Sequence, residues 1–147
     1  MTTVNDILRS KADPSVYTIS PDATVFAAVH EMAQKNIGAL PVVNDRGQVV
    51  GMVTERDYAR KIVLTNRKSR ETLVREIMAE SVLYVRLQHT SDECMALMTE
   101  NRVRHLAVMD AGKLVGLISI GDLVKDIISA QQFIIEQLEH YITGDRG

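Results

Sequence analysis

The hydrophobic pattern changes its period several times between residues 16 and 63. Behind Pro21 and Asp22, the segment "ATVFAAVHEMAQKN" predicts a helix of about three turns, because apolar residues recur there at helical spacing: Val25, Val29 and Met32. The next segments, "GALPVVN" and "QVVGMVT", are short and β-branched, and the intervening "DRG" predicts a tight hairpin. After Thr54 the spacing is helical again, at Tyr58, Ala59, Ile62 and Val63.

The same order of signals returns in the second half of the chain. A shift of 66 positions aligns Val16 with Val82, and omitting one residue at the turn near Asp45 extends the match to Val63. The identical positions in the first half are Val16, Thr24, Met32, Leu40, Val42, Gly47, Val50, Gly51, Asp57 and Ile62. Two short segments that precede the copies, residues 4–8 ("VNDIL") and 74–78 ("VREIM"), are also similar, and we call them the lead-ins. The chain therefore contains an internal duplication.

The duplication predicts an α/β (α+β) fold in which the order strand, helix, strand, strand, helix occurs twice. One unit of about 50 residues with a small sheet cannot bury its apolar face and two helices alone, so the two copies are expected to pack together. We place the first copy at residues 1–70 and the second at residues 71–147. The polar and basic stretch 64–73 is the predicted connector.

The composition limits the functions to consider. The 147 residues are 46% apolar and carry a formal charge of −2, which favours a globular protein and argues against a general nucleic-acid or membrane surface. "MTTVNDILRSK" has charges where a signal peptide needs an apolar stretch, and the single Cys94 cannot form an internal disulfide. We therefore expect a cytoplasmic protein.

One pair of polar residues survives in both copies. Gly51–Asp57 ("GMVTERD") and Gly116–Asp122 ("GLISIGD") each end an apolar run with a hydroxyl and, three residues later, a carboxylate. This spacing is typical of a helix N-cap with an acidic residue at the third position. It also suits a nucleotide, because the hydroxyl and the helix N–H groups favour phosphate while the carboxylate can accept from ribose hydroxyls. The spacing alone fits both the helix cap and the nucleotide contact.

The duplicated glycine–apolar–apolar–Thr/Ser–x–x–Asp pattern, together with "GALPVVNDRG" and "RHLAVMDAG", resembles a tandem pair of CBS domains, the modules first noticed in cystathionine β-synthase. The resemblance covers nearly the whole chain. It implies two pseudo-symmetric motifs packed through their small sheets, with two clefts between them. In such pairs the clefts bind adenosine compounds, commonly AMP, ADP or ATP and less often NAD(H) or S-adenosylmethionine.

The resemblance also implies roles for particular residues. Thr54 with Asp57, and Ser119 with Asp122, would contact phosphate and ribose. Arg104 and His105, which stand where the first copy has Gly38 and Ala39, would contact phosphate, whereas a solvated arginine and a strand histidine are the structural alternative. The remaining expected contacts come from the adenine-closing segments, from the wall of the first cleft and from nearby cations: Val16, Tyr17, Leu83, Pro41, Lys11 and Arg56.

No catalytic or metal site is predicted, because the four histidines lack ligand spacing and neither hydroxyl–aspartate pair has a base in its own motif. We expect a regulatory module that needs no cofactor, binds an adenine nucleotide and signals to an effector protein that the sequence does not identify. The alternatives are a nucleotide hydrolase that uses the basic cluster around Arg56, and a structural dimerisation module with empty clefts.

The C-terminal segment predicts a long amphipathic helix. Its apolar stripe consists of Leu123, Ile127, Ala130, Ile134, Leu138 and Tyr141. At 1.5 Å per residue, about 20 residues span roughly 30 Å, so the later half should project past the small sheet and leave Ile134, Leu138 and Ile142 without cover. The helix either folds back over its own domain or, as CBS pairs commonly form two-fold dimers, contributes to a homodimer. We expect the homodimer.

Overall fold

A computed structural model describes residues 2–143, with side chains through residue 141. The α-helices are α1 (Val4–Ser10), α2 (Val25–Lys35), α3 (Glu55–Tyr58), α4 (Ser91–Asn101) and α5 (Ile120–Thr143). A π-helical turn, Ala59–Val63, continues α3, and a 3-10 turn covers Val74–Glu76. The strands are β1 (Ala39–Val43), β2 (Val49–Thr54), β3 (Tyr84–Val85), β4 (His105–Asp110) and β5 (Lys113–Ser119). The predicted mixed α/β class and the long C-terminal helix are confirmed.

Each copy has a small sheet built on an antiparallel hairpin, β1–β2 in the first copy and β4–β5 in the second. The hairpin turns use Gly47 and Gly112, both at positive φ, where a side chain would be strained. The strand predicted before each helix is short. It is the two-residue β3, parallel to β4, in the second copy, and a single bridge from Ile19 to Val42 in the first.

Local signals explain the helix ends. Thr24 caps α2 by accepting a bond from the Ala27 N–H, and Thr90 forms a full capping box with Glu93 at the start of α4. Both helices end at a residue in the left-handed conformation, Asn36 or Arg102, which is an ordinary way to terminate a helix.

The helix after Thr54 departs from simple helical spacing. It forms one α-helical turn and then widens, so that the Leu64 N–H bonds to the Ala59 carbonyl five residues back. The wider turn changes which side faces the sheet. Ile62 is buried, but Val63, which the periodicity predicted to lie on the same side, is 57% exposed.

The two lead-ins pack against opposite copies. Val4 and Ile7 of the first lead-in lie in the core of the second copy, with Leu106, Val108 and Ile118. Val74 and Ile77 of the second lead-in lie in the core of the first, beside Leu40, Val42 and Val53. Each hydrophobic core is therefore built from both halves of the sequence, and the division at residues 70 and 71 stays a prediction.

The lead-ins pack closely against the glycine that the duplicated pattern keeps in each copy. A Cβ on Gly51 would lie 2.5 Å from Met78 Sδ and 2.9 Å from the Ala79 carbonyl oxygen. A Cβ on Gly116 would lie 2.8 Å from Leu8 Cδ2. Both glycines are thus needed for close approach rather than for backbone freedom. The sheets also meet each other, through a small cluster of Ala39, Met52 and Ala107.

Helix α5 begins against the body of the protein and then leaves it. Leu123 is 1% exposed, whereas Ile134 and Leu138 are each 56% exposed and every described side chain from residue 127 onward is exposed. The prediction that the later half projects is confirmed. Ile142, which the sequence places on the same stripe, lies outside the described side chains. Among residues 2–143, no helix is long and apolar enough to cross a membrane.

Candidate functional site

Both hydroxyl–aspartate pairs are helix capping boxes. The Thr54 N–H donates to Asp57 Oδ2 at 3.0 Å, and the Asp57 N–H donates to Thr54 Oγ1 at 3.1 Å. In the second copy the Ser119 N–H donates to Asp122 Oδ2 at 2.8 Å, and the Asp122 N–H donates to Ser119 Oγ at 3.1 Å. The capping interpretation is therefore correct in both copies. The cap uses only one oxygen of each carboxylate, so the second oxygen can make other contacts.

A lysine neutralises each of these aspartates, but it comes from a different place. In the first copy Lys61, one turn after Asp57 on the same helical segment, lies 3.3 Å from Asp57 Oδ1. It also donates to the Ile77 carbonyl oxygen of the second lead-in at 2.8 Å. In the second copy Lys11, from just after α1, lies 3.1 Å from Asp122 Oδ2 and donates to the Leu117 carbonyl oxygen at 2.8 Å. Each lysine thus joins one copy to the lead-in packed on it.

A cleft of about 610 Å³ opens where residues 7–17 pass over the second copy. Its lining includes four of the predicted site residues: Lys11, Val16, Tyr17 and Asp122. Tyr17 donates its hydroxyl hydrogen to Asp13, and Lys35 Nζ lies 5.0 Å from the centre of the Tyr17 ring. The cleft therefore combines an apolar and aromatic wall with a carboxylate and several cations. Its volume is in the range of small-molecule sites.

The centre of the molecule brings the two copies together at His105 and Gly38. A Cβ on Gly38 would lie 3.5 Å from His105 Nε2 and 3.7 Å from Glu55 Oε1, so the imidazole occupies the space beside this glycine. Burial lowers the pKa of His105; the Asp122 carboxylate opposes that shift, and Arg104 and Lys11 add to it. The imidazole is therefore neutral at neutral pH, with one ring nitrogen able to donate and the other able to accept.

Comparison with known proteins decides the family. The family model for the CBS domain matches residues 3–64 and again residues 74–129. The chain belongs to the CBS-domain family. The resemblance drawn from the duplicated pattern is confirmed, and both halves of the chain are CBS motifs.

Relatives and solved structures agree with this family. The mitochondrial CBS domain-containing protein CBSX3 of Arabidopsis thaliana is 39% identical over 150 residues, which cover 97% of this chain and 73% of that protein. The structure of a signal-transduction protein with CBS domains from Burkholderia ambifaria is 55% identical, with a TM-score of 0.84, and the match covers 88% of this chain and 96% of that one. The CBS domain pair of protein MJ0100, solved with 5′-methylthioadenosine and S-adenosyl-L-methionine, is 26% identical with a TM-score of 0.76 and covers 89% and 98%.

The other predicted residues of the CBS pair take varied positions. Ala39 lies opposite Thr54 on the β1–β2 hairpin, and His105 lies opposite Ser119 on the β4–β5 hairpin. Pro41 is buried and Leu83 is half-buried, and each uses its carbonyl as a sheet acceptor. Arg56 and Arg104 are exposed, and the Arg104 carbonyl accepts the Ile120 N–H at the start of α5. Their roles toward a nucleotide stay predictions.

Some residues of the cleft were not predicted from the sequence. Lys125, Asp126 and Ser129 of α5 and Lys35 at the end of α2 also line it. Lys125 and Asp126 stand three and four positions after Asp122, which is helical spacing, so they could have been found once Asp122 was chosen. Lys35 has no such local signal, because only the fold brings the end of α2 to this cleft.

Proposed function

We propose that this protein is a cytoplasmic regulatory module that binds an adenine nucleotide, AMP, ADP, ATP or NAD(H), in the clefts between its two CBS motifs. The observation that carries the proposal is the cleft of about 610 Å³ whose lining brings Val16 and Tyr17 together with Asp122. The adenosine ligands of the related MJ0100 pair support the ligand class.

The cleft over the second copy, which we call the second cleft, offers a group for each part of a nucleotide. Within the described residues, the bonds of Asp122 go to Oδ2, so its Oδ1 is available to accept from ribose hydroxyls. The backbone near Val16 and Tyr17 would read the adenine edge. Lys11, which lines the cleft, supplies a donor toward phosphate. His105 is the further donor that the resemblance implies, and a bound phosphate would favour its protonated form.

The first cleft, which the resemblance implies around Thr54, Asp57 and Leu83, is less ready to bind. Asp57 Oδ2 accepts from Thr54, and Asp57 Oδ1 faces Lys61. A ribose would have to displace Lys61 before it could use this carboxylate. We therefore propose that the second cleft fills before the first.

The regulatory output follows from the position of Lys11. Lys11 holds both Asp122 and the Leu117 carbonyl, and it directly follows the α1 helix that packs on the second copy. A nucleotide phosphate that draws Lys11 away from Asp122 weakens this attachment and stabilises a different arrangement of residues 11–17. The ligand shifts the populations of the two arrangements because it binds them with different affinity. A partner protein that recognises one arrangement can then respond to the shift.

Thermal unfolding tests the proposal. A ligand that binds only the native state adds RT ln(1 + [L]/Kd), roughly 2.7 kcal/mol at a hundredfold excess over Kd. Millimolar AMP, ADP, ATP or NADH should therefore raise the melting temperature, and the matched guanosine nucleotides should do much less. A melting temperature unchanged by all four adenine compounds rejects the proposal and favours the structural module with empty clefts.

Two further measurements separate the alternatives and narrow the ligand. Incubation with ATP should yield no product, and formation of ADP or AMP would favour the hydrolase that uses the cluster around Arg56 instead. Mass spectrometry of small molecules released by denaturing freshly purified protein identifies which adenine compound the cleft retains.

We also propose that the protein forms a homodimer to which α5 contributes. The support is the exposure of Ile134 and Leu138 on a helix that extends beyond its own core. Changing both residues to Glu should shift the protein toward monomer in sedimentation while nucleotide binding persists. A wild-type protein that already sediments as a monomer at tens of micromolar, roughly well above a Kd of 1 μM, contradicts the homodimer.

A further inference from the structure

The charge of the chain is divided unevenly between its halves. Residues 1–70 contain ten Lys or Arg and seven Asp or Glu, a formal charge of +3. Residues 71–147 contain seven Lys or Arg and twelve Asp or Glu, a formal charge of −5. The small net charge of −2 therefore hides a basic half and an acidic half.

This division also holds on the helical side of each copy. In the first copy, exposed cations follow the helical segment after Thr54 and the connector: Arg56, Arg60 and Lys68. In the second copy, exposed carboxylates lie on α4 and α5: Asp92, Glu100 and Glu136. The helices of each copy contact each other, α2 with α3 and α4 with α5, so each copy presents one helical surface of predominant sign.

Both helical surfaces also expose apolar side chains. In the first copy Phe26, Val63 and Leu64 are 38%, 57% and 78% exposed. In the second copy the exposed apolar side chains belong to α5: Val124, Ile127, Ile128, Phe133, Ile134, Ile135, Leu138 and Tyr141. A contact confined to two α5 helices would leave Val63 and Leu64 in water. A surface that covers both groups has to span both copies.

A protein surface fits α5 better than a lipid surface does. Helices that lie in a membrane interface are typically rich in Lys or Arg on their polar face. From Asp126 to Thr143 the helix has neither residue, and it carries Asp126, Glu136 and Glu139 instead. The acidic helix is suited to a basic protein surface, and the first copy of a second chain is such a surface.

We propose that two chains pair head to tail, with α5 of one protomer lying on the helical surface of the first copy of its partner. This inference rests on the homodimer proposed above and adds its orientation. A two-fold pair that covers both helical surfaces buries similar apolar area whether the chains run head to head or head to tail, so apolar burial does not choose between them. Charge does, because head-to-tail pairing joins the basic surface to the acidic one twice, and head-to-head pairing joins like to like.

Cysteine cross-linking tests the orientation. The native Cys94 is fully buried, so the wild-type dimer is the control and should not react with a short bis-maleimide. Leu64→Cys and Leu138→Cys each place one thiol at an exposed position. Head-to-tail pairing predicts that neither single variant cross-links to itself. An equilibrated mixture of the two should cross-link, with the bond mapped between positions 64 and 138.

Each other outcome rejects a distinct part of the proposal. Self-cross-linking of either single variant in a dimer means that the chains pair head to head. A dimer in which no combination cross-links means that the interface lies elsewhere on the protein. A wild-type protein that is monomeric removes the homodimer itself, and an α5 that binds anionic vesicles in that state identifies a lipid surface as its partner.

Charge reversal gives a second, independent readout. Arg60→Glu with Lys68→Glu, or Glu100→Lys with Glu136→Lys, should each raise the dimer Kd about tenfold, and combining all four in one chain should return it to within about threefold. Arg46→Glu with Lys113→Glu, at the hairpin turns, is the control with the same change of charge as the first pair and should leave Kd unchanged. Equal Kd values for all variants contradict head-to-tail pairing, because only that orientation joins the two reversed surfaces.

Discussion

The two copies keep the same backbone cap but differ in what neutralises its carboxylate. Asp57 is paired with Lys61 from its own helical segment, so the first copy satisfies its aspartate internally. Asp122 is paired with Lys11, which lies 111 residues away at the other end of the chain. At the position of Lys61 the second copy has Asp126, so it could not form the internal pair even if Lys11 were absent.

This difference shows which features a duplication keeps fixed. The hydroxyl and the aspartate start a helix in each copy, and a helix start is needed whether or not a ligand binds. The lysine is not part of the cap and comes from a different segment in each copy, so it can differ between the copies without loss of the fold. We infer that the copies diverged in how easily a ligand reaches the aspartate.

The two glycines that face the lead-ins should differ in tolerance. Gly51→Ala should lower the free energy of unfolding by about 1–3 kcal/mol, because its Cβ would meet the fixed Ala79 carbonyl. Gly116→Ala should cost less, since the atoms nearest to its Cβ belong to the side chain of Leu8, which can rotate. Urea unfolding measures both. Gly121→Ala, whose Cβ is 3.5 Å from Ser119 Oγ, is the control and should not destabilise the protein. A greater loss of unfolding free energy for Gly116→Ala than for Gly51→Ala contradicts this explanation of the two contacts.

The two aspartates should differ in their effect on ligand affinity. Asp122→Ala should weaken nucleotide binding by on the order of 1–3 kcal/mol through lost ribose hydrogen bonds, and Asp57→Ala should weaken it less, because Lys61 already occupies Asp57. Isothermal calorimetry measures the affinity. Asp57→Asn and Asp122→Asn separate helix capping from ribose binding, since an amide oxygen can still accept the capping hydrogen bond. If the pairs act only as caps, each Ala variant loses about 1 kcal/mol of stability and no affinity.

The two lysines should have small and different effects. Lys11→Met and Lys61→Met should each change stability by no more than about 1 kcal/mol, since both ion pairs are partly exposed and screened by water. Lys61→Met should also strengthen binding at the first cleft, because Asp57 Oδ1 becomes free to accept from ribose. Calorimetry in an Asp122→Ala background isolates that cleft. Affinity that is unchanged by Lys61→Met there means that Lys61 does not compete with the ligand.

The smallest effect concerns pH and arises in the second copy alone, because Ala39 stands where that copy has His105. Burial lowers the pKa of folded His105 below its ordinary value of 6.5, so folding favours the neutral imidazole. Its contribution to stability is complete above the unfolded pKa and is lost as the pH falls through the folded pKa. Between pH 7 and pH 5 the wild type should therefore lose more stability than His105→Gln does. Parallel curves for the two proteins would mean that His105 is not responsible.

The sequence predicts best those features that depend on neighbouring residues. Helix α2, both hairpins and the caps at Thr54 and Ser119 depend on spacing and on turn chemistry within a few positions, and all are confirmed. The π-helical turn was not predicted, because periodicity assumes a constant angle between residues and a single widened turn at Ala59–Val63 breaks that assumption.

Features that join distant segments were outside the reach of the pattern. The apolar spacing of Val4 and Ile7 indicates that one face of α1 is buried, but it does not indicate which core covers it, and the lead-ins pack on opposite copies. The Lys11–Asp122 pair is a second example: the resemblance implied a phosphate contact for Lys11, but no sequence pattern indicated its pairing with Asp122. Only the fold shows that residues 7–17 cross the second copy and form one wall of its cleft.

The packing of α1 on the second copy also sets an order of events during synthesis. Ile7 leaves the ribosome more than a hundred residues before Ile118, which shares its core. At a translation rate of 5–20 residues per second, that interval is roughly 5–20 s. During this time Val4, Ile7 and Leu8 have no native surface to cover them, so this segment of the nascent chain is exposed to chaperones and proteases until β5 has been made.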